Sequence, residues 1–337
     1  MDTAITLVGQ GIDPPSDQFG PKKWHPGHYA QLSNQVDLAA VKRIVPQLPR
    51  EIKGAMVPAI WSKIEKAKGV YDFSELKAEM AVLKAAGKRM VILFQDKSYD
   101  RNRTQCVPNY MRTDPIYEGG QFKPTDANSH GCETKRWVPA VMDRMIAAYN
   151  ALGKEFDKDP NFEGISSEET ATEAPNVRAY VDQLKRLASA MPKAFPTSLT
   201  NMWTNWRIEP HAGELIDHLY RNGVGFGGPD TGPTAHFKTQ AYPYFPKYAG
   251  RTYSLMAVQP SKLIWKYDLI RDGLVTLDEV FHFAVTDPQG INATHLFWWY
   301  FVDAKAAYDF RDTVDVIRAN GSVINDTCPE NLICETR

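Results

Sequence analysis

Two adjacent carboxylates end a short apolar segment near the middle of this sequence. The segment 161–170 contains Phe162 and Ile165, continues through Ser166 and Ser167, and then reaches Glu168 and Glu169. A carboxyl group placed in this way can act as a general acid or base when its surroundings shift its pKa. Solvated acids before a helix would explain the same pattern, because a helix N-terminus favours negative charge. The secondary structure predicted around the segment distinguishes between these two interpretations.

Strand-like and helix-like segments alternate through most of the chain. Apolar strands are expected at 6–9, 54–61, 89–96, 161–169, 195–203, 223–230, 253–259 and 294–300. Helices with a periodic apolar face are expected at 37–45, 74–86, 137–156, 176–190, 211–222, 276–284 and 304–319. Alternating strands and helices predict a parallel sheet. Eight such units close a (β/α)8 barrel, an α/β fold that carries its chemistry at the carboxyl ends of the strands.

We expect one catalytic barrel to comprise the whole chain of 337 residues, with 1–36 as an N-terminal cap and 320–337 as a tail. An open doubly wound sheet is the competing fold. It would carry a Gly-rich phosphate turn after the first strand, whereas the glycines at 225–228 come late and lack that spacing. No cofactor is implied. The long loop 97–135 after the third strand has little periodicity, and such loops are often functional.

The composition excludes several classes of partner. Thirty-nine basic and forty acidic residues nearly cancel, and no segment is basic enough to predict nucleic-acid binding. No apolar run reaches the roughly 18 residues of a membrane-spanning helix. No HxH or clustered His/Asp motif stands at a strand end, so no metal site is expected. The oligomeric state has no signature in the sequence.

Four cysteines form two local couples, Cys106 with Cys132 and Cys328 with Cys334. No CxxC motif is present, and no Cys/His spacing suits zinc. Two disulfides that fix the long loop and the tail would suit an oxidising compartment. Residues 1–6 do not have the character of a signal peptide, so we expect a mature secreted or periplasmic chain. A cytosolic chain with four buried thiols is the alternative.

The stretch after the second strand contains a short motif, with Trp-Ser-Lys-Ile-Glu at 61–65 and Gly-Val-Tyr-Asp-Phe at 69–73. It resembles the signature after the second strand of the retaining (β/α)8 glycoside hydrolases of clan A. In those enzymes a Glu at the end of strand four is the general acid/base, and a Glu at the end of strand seven is the nucleophile. The resemblance implies a hydrolase that cleaves glycosidic bonds of a polysaccharide or oligosaccharide.

By this resemblance Glu169 or Glu168 would be the acid/base. Alternation along a strand lets only one of them point into the barrel mouth. We favour Glu169, which comes last on the strand and would share a face with Ser167 and Ile165, and we keep Glu168 as the alternative. The family pattern usually has Asn before the acid/base, and neither carboxylate here has one.

The tip of strand seven departs further from the family, since Gln259 stands where the nucleophilic Glu would be. Three explanations compete: an inactivated Glu-to-Gln variant, a different second carboxylate, or a barrel that binds sugar without turnover. Asp230, at the end of strand six, is the best alternative carboxylate. Glycosidases need two carboxyl groups, roughly 5 Å apart for retention and 6.5–9.5 Å apart for inversion. An acid that caps local turn amides would also explain Asp230.

Aromatic and polar residues fall at several predicted strand ends, where they could stack on sugar rings and bind hydroxyl groups. Barrel packing is the alternative for these aromatic residues, and it is expected for one of the adjacent pair Trp298 and Trp299. The cluster at 24–29 could be a substrate-binding lip or a turn that closes the barrel. The candidate substrate-binding residues are Trp61, Gln95, Asp96, Asn201, Trp203, Gln259 and Trp298, with Trp206, Trp299 and His295 as further possibilities.

Overall fold

Eight parallel strands form one sheet in the computed structural model. The model describes residues 20–32, 37–100, 102–125, 131–205, 207–233, 241–259, 267–268, 273–274, 276–302 and 308–335. The strands are β1 Gly27–Gln31, β2 Ile52–Ile60, β3 Arg89–Gln95, β4 Phe162–Ser167, β5 Leu199–Trp203, β6 Gly225–Gly227, β7 Leu255–Val258 and β8 His295–Trp299. The helices that follow them in turn are α1 Leu38–Ile44, α2 Ser74–Ala85, α3 Pro139–Phe156, α4 Val177–Ala194, α5 Ala212–Arg221, α6 Tyr244–Tyr248, α7 Leu277–Val285 and α8 Phe310–Ala319.

The strands lie in the order β6-β5-β4-β3-β2-β1-β8-β7, which is the order of a barrel opened between β6 and β7. Bridges from Gly228 to Met256 and from Asp230 to Val258 span that gap. Gly227 allows the close approach, because a Cβ there would lie 1.9 Å from the carbonyl oxygen of Leu255. The predicted (β/α)8 barrel is therefore confirmed. The strand expected at 6–9 lies outside the described residues, and β1 is the first strand of the barrel instead.

Two apolar clusters hold this barrel together. The larger one lies between the strands and the helices, where α3 contributes Val141, Met145, Ala148 and Leu152 from one face. The smaller one fills the barrel and includes Tyr29, Met56, Leu93, Leu199 and Phe297. Burial of a side chain of this kind contributes about 1.5–3 kcal/mol. The interior is therefore packed, and any large ligand has to bind at a rim.

The motif that carried the family resemblance has a structural role here. Glu65 is buried and accepts hydrogen bonds from the Trp61 indole at 2.7 Å, the Gly69 amide at 2.9 Å and the Tyr110 hydroxyl at 3.0 Å. Arg144 on α3 adds an ion pair at 2.5 Å. One carboxylate thus joins the segment after β2 to the long loop and to α3. The hydrogen bonds from Trp61 and Gly69 to Glu65 explain the spacing of these three residues without any contact to a substrate.

The cluster at 24–29 lies at the amino end of the barrel, where β1 begins, so its interpretation as a substrate-binding lip is wrong. Glu163, at the start of β4, accepts hydrogen bonds from the His25 amide at 2.8 Å and its ring at 2.9 Å. His295 reaches the same carboxylate at 3.4 Å and Arg89 does so at 3.4 Å. His295 is therefore at the opposite end from the Glu168–Glu169 pair and is not available to a ligand there.

Both predicted disulfides form. Cys106 is bonded to Cys132 in the long loop, at a sequence separation of 26, and Cys328 is bonded to Cys334 in the tail, at a sequence separation of 6. The tail pairs with the N-terminal segment, since the Lys22 amide donates to Ile333 at 2.7 Å. No helix among the described residues is both long and apolar enough to cross a membrane.

Candidate active site

The carboxyl pair lies just beyond β4, at the carboxyl end of the barrel. Strand β4 ends at Ser167, and the Glu168 amide still donates to the carbonyl oxygen of Phe94 on β3 at 3.2 Å. Glu168 is 8% exposed and Glu169 is 6% exposed. Solvated acids before a helix are therefore excluded, because α4 begins only at Val177 and both side chains are buried.

The two faces of β4 differ from the expected arrangement. Ile165 packs in the layer between the strands and the helices, whereas Ser166 accepts a hydrogen bond from Asn201 on β5 at 2.9 Å. Strict alternation would therefore place Glu168, rather than Glu169, on the inward face with Ser166. The expectation that Glu169 shares an inward face with Ile165 is wrong. Because the chain has left the strand after Ser167, both carboxyl groups remain at the rim.

Glu169 is held by two neutral donors. The Tyr99 hydroxyl donates to one carboxylate oxygen and the Asn205 side-chain amide donates to the other. Tyr99 lies in the long loop and is 44% exposed, so its ring borders the open mouth. The two hydrogen bonds therefore fix the orientation of the Glu169 carboxyl group.

Glu168 has the opposite environment. Burial, together with the neighbouring charge of Glu169, raises the pKa of Glu168 to about 7, although Lys97 and Arg136 lower it in part. The Glu169 amide donates to a carboxylate oxygen of Glu168 at 3.3 Å, which keeps the two side chains adjacent. A carboxyl group whose surroundings raise its pKa towards neutrality is suited to the role of general acid.

A buried ion pair supports the backbone of the carboxyl pair. Arg136 donates to both oxygens of Asp96, at 2.7 and 2.5 Å, and to the carbonyl oxygen of Glu169 at 3.1 Å. Lys97 donates to the carbonyl oxygen of Ala171 and lies 3.7 Å from Glu133. Asp96 was expected to bind sugar hydroxyl groups, but both of its oxygens are occupied by Arg136. Asp96 instead holds Arg136, which positions the backbone of the carboxyl pair.

The opposite rim carries Asp230 and Tyr242. Asp230 follows β6 and is partly exposed, and the Tyr242 hydroxyl donates to its backbone carbonyl oxygen. Burial raises the pKa of the Tyr242 phenol, and the charges of Asp230 and Glu169 raise it further. Tyr242 therefore lies within electrostatic range of both carboxylates. Gln259 directly follows β7 and is half-buried.

Most of the expected sugar-binding residues are buried in the fold. Trp61 packs against Phe94, Trp203 donates to the Leu255 carbonyl oxygen at 3.0 Å, and Trp298 donates to His28 at 3.2 Å. All three indoles are at most 2% exposed, so they have no ring face for a ligand.

Asn201 is also buried, within the barrel and below the mouth. Gln95 is at the mouth, where it accepts a hydrogen bond from Arg103 at 2.9 Å. Trp299 ends β8 and is partly exposed, so it is the member of the Trp298–Trp299 pair that a sugar could reach. Trp206 lies outside the described residues.

Sequence reasoning missed the residues that surround the pair. Tyr99 stands near the start of the loop that had been expected to be functional, Arg136 directly follows that loop, and Asn205 stands two residues beyond β5. Only the position of that loop and of the strand ends could have indicated them. Among the described residues no group of three His, Cys, Asp or Glu could hold a metal ion.

Comparisons with known proteins identify the fold. No family model matches the sequence, and no curated protein matches it. Among solved structures, a GH5_18 protein from Streptomyces cattleya in complex with GlcNAc has a TM-score of 0.56 at 13% identity, covering 88% of this chain and 80% of that chain.

Two beta-galactosidases are similarly close in structure. The cold-adapted enzyme from Rahnella sp. R3 has a TM-score of 0.57 at 14% identity, and the match covers 89% of this chain and 56% of that chain. The enzyme from Bacillus circulans sp. alkalophilus has a TM-score of 0.56 at 11% identity, over 92% of this chain and 57% of that chain. The chain has the fold of the clan A glycoside hydrolases. Identities this low show the fold alone.

Proposed function

We propose that this protein is a glycoside hydrolase that cleaves glycosidic bonds of a polysaccharide or oligosaccharide by carboxyl acid catalysis. The observation that carries the proposal is the buried pair Glu168–Glu169 at the carboxyl end of β4, in two unlike environments. The carboxyl ends of barrel strands are the usual location of catalytic groups in this fold. The fold shared with known glycoside hydrolases supports the same reaction class.

Glu168 is the proposed proton donor. A general acid at neutral pH needs a raised pKa, and Glu168 has a pKa of about 7 because it is buried beside another carboxylate. Glu169, which accepts hydrogen bonds from Tyr99 and Asn205, is the proposed charged partner. The family resemblance favours Glu169 as the acid, whereas the environments of the two groups favour Glu168.

Asp230 is the proposed second carboxylate, on the other side of the mouth. A two-carboxyl mechanism places the second group on the far side of the sugar ring from the acid, as nucleophile or as base for water. Asp230 and Glu169 both act on the buried Tyr242 phenol, which supports a location of Asp230 at the same mouth. Tyr99, Gln95, Gln259 and Trp299 are the proposed contacts to the sugar.

The two disulfides support a secreted or periplasmic location, where a polymeric substrate would be available. A second candidate function follows from Gln259, because an amide at the tip of β7 cannot form the usual glycosyl ester. This candidate is a barrel that binds carbohydrate without turnover, or a retaining enzyme inactivated by Gln in place of Glu at that position.

The test compares the wild type with Glu168→Gln, Glu169→Gln, Asp230→Asn and Gln259→Glu on polysaccharides and aryl glycosides. Loss of the general acid should lower kcat by about 10²–10⁴-fold on poor leaving groups. It should have little effect on an activated dinitrophenyl leaving group, which departs without a proton. Glu155→Gln, on the outer side of α3, is the control for a changed carboxylate remote from the mouth.

The expected result is that Glu168→Gln, and no other inactive variant, regains activity on the substrate with the activated leaving group. Rescue of Glu169→Gln alone would reverse the two roles. Cleavage by Gln259→Glu alone would show that the chain is an inactivated retaining enzyme. Sugar binding without cleavage by any variant would contradict the hydrolase and support the binding barrel.

A further inference from the structure

The geometry of the carboxyl pair raises the question of which group attacks the anomeric carbon. Glu168 and Glu169 are consecutive residues at the tip of one strand, with the Glu169 amide bonded to the Glu168 carboxylate at 3.3 Å. They therefore reach a bound sugar from the same side. In two-carboxyl mechanisms the acid and its partner lie on opposite sides of the ring. The pair can supply an acid, but it cannot supply both groups.

Among the described residues, the tip of β7 carries an amide where a nucleophilic carboxylate would be expected. Gln259 stands there, and its neutral amide cannot form a glycosyl ester. Asp230 stands on β6, but its segment bridges antiparallel to Val258 and so turns across the rim. A nucleophile that belongs to the substrate would make a protein nucleophile unnecessary. Substrate-assisted glycosidases are an established exception to the two-carboxyl pattern.

We propose that the substrate is a β-linked 2-acetamido-2-deoxy glycoside whose own acetamido oxygen attacks the anomeric carbon. The proposal rests on the proposed function, and it assigns Glu168 to the leaving oxygen and Glu169 to the acetamido N–H. These two substrate groups are on neighbouring carbon atoms, C1 and C2, so two consecutive residues just beyond the end of one strand suit them. A sugar with a 2-hydroxyl group offers Glu169 no N–H to bind.

Glu169 has the properties that the acetamido contact requires. Its two oxygens are oriented by Tyr99 and Asn205, and an ionised carboxylate presents about four acceptor positions, so it can accept a further N–H. A fixed negative charge beside the acetamido nitrogen stabilises the positive charge that develops there during attack. Tyr99 is the part of this arrangement that borders the mouth, since it is 44% exposed.

The reaction balances with water as the only co-reactant. The acetamido oxygen forms a bond to C1 while the bond from C1 to the leaving oxygen breaks, and the Glu168 proton moves to that oxygen. The product is an oxazolinium ion paired with the Glu169 carboxylate. Water then attacks C1, gives a proton to Glu168 and reopens the ring. The acetamido group is restored, and the sugar is released with retained configuration.

The test uses the full chain and aryl β-glycosides of mono- and disaccharides in gluco and galacto configurations. Each is compared as its 2-acetamido and 2-hydroxy form, and the N-acetyl group is also replaced by mono-, di- and trifluoroacetyl. Fluorine weakens the carbonyl oxygen as a nucleophile, so kcat/KM should fall with each fluorine by about tenfold or more, which corresponds to about 1.4 kcal/mol in the barrier. Thiazolines of both configurations, which imitate the oxazolinium ion, are tested for binding by calorimetry.

The expected result is cleavage of the acetamido glycosides alone, with thiazoline binding that Glu169→Gln weakens. Cleavage of the 2-hydroxy glycosides, or a rate unaffected by fluorine, would overturn the inference and leave the glycoside hydrolase intact. Asp230→Asn would then be expected to abolish cleavage. Failure to cleave any glycoside would overturn both proposals, whether or not thiazoline binds.

Discussion

Arg136 donates two hydrogen bonds to the Asp96 carboxylate. Its Nε lies 2.7 Å from Oδ2, and one terminal nitrogen lies 2.5 Å from Oδ1. Both side chains are 1% exposed. The remaining terminal nitrogen donates to the carbonyl oxygen of Glu169 at 3.1 Å and to the Tyr180 hydroxyl at 3.2 Å. A buried pair of this kind positions the backbone that carries the two carboxyl groups.

Asp96→Asn is expected to be strongly destabilising, because it leaves the Arg136 charge buried without its partner. Removing one member of a buried pair costs about 3–5 kcal/mol in the free energy of unfolding. Urea unfolding measures the effect. The control is Arg178→Gln, which breaks the exposed pair with Asp182 and should change the midpoint little. Equal effects of the two variants would show that the Asp96–Arg136 pair has no special structural role.

The pH profile of kcat/KM should report the Glu168 proton. The carboxyl group has a pKa of about 7, set by burial and by Glu169, with Asp96, Lys97 and Arg136 as the other charged neighbours. The proton donor is present below that value, so activity should fall as the pH rises through about 7. The dependence of kcat/KM on pH is measured with substrates that have activated and poor leaving groups. A descending limb that persists in Glu168→Gln would assign the proton to another group.

The same raised pKa has a consequence for stability. The folded state retains the Glu168 proton above the ordinary pKa of 4.5, where the unfolded chain has lost it. The stability that the protonated Glu168 contributes is therefore fully present below pH 4.5 and is lost as the pH rises towards about 7. Unfolding midpoints of wild type and Glu168→Gln, measured across this range, should diverge, with the wild type losing stability relative to the variant.

Glu163 should show the opposite dependence. Burial alone would raise its pKa, but hydrogen bonds from His25 and His295 outweigh burial and hold the pKa well below 4.5. The stability that this carboxylate contributes is present above 4.5 and is lost as the pH falls below it. Glu163→Gln should therefore be less stable than the wild type at neutral pH, and the difference should shrink in acid. Since Glu163 is at the amino end of the barrel, kcat/KM should not change.

The two disulfides should differ in their effects. In the chain-entropy account, a cross-link at a sequence separation of 26 contributes about 3.5 kcal/mol and one at a separation of 6 about 2 kcal/mol. The double variant Cys106→Ala/Cys132→Ala should also lower activity, because Tyr99 and Arg136 lie on either side of the loop that this disulfide closes. The matched variant Cys328→Ala/Cys334→Ala should keep kcat/KM. Unchanged activity in the first variant would show that the loop positions both residues without its cross-link.

The sequence was sufficient for the architecture, because each level of the barrel has a local pattern. Strands such as β3 are buried on both faces and appear as continuous apolar runs, and helices such as α3 have a 3.6-residue period. The cysteine couples were close enough in the sequence to predict their pairing. The strand Gly27–Gln31 was not predicted, since it mixes Gly, His and Gln with apolar residues.

The sequence by itself also determined that two carboxyl groups stand at the end of β4. Only the tertiary structure decided how they differ, because their partners come from far along the chain. Tyr99 and Arg136 come from the segment between β3 and α3, and Asn205 comes from just beyond β5. Burial and charge act through space, so the pKa of Glu168 and the orientation of Glu169 follow from folding rather than from local spacing.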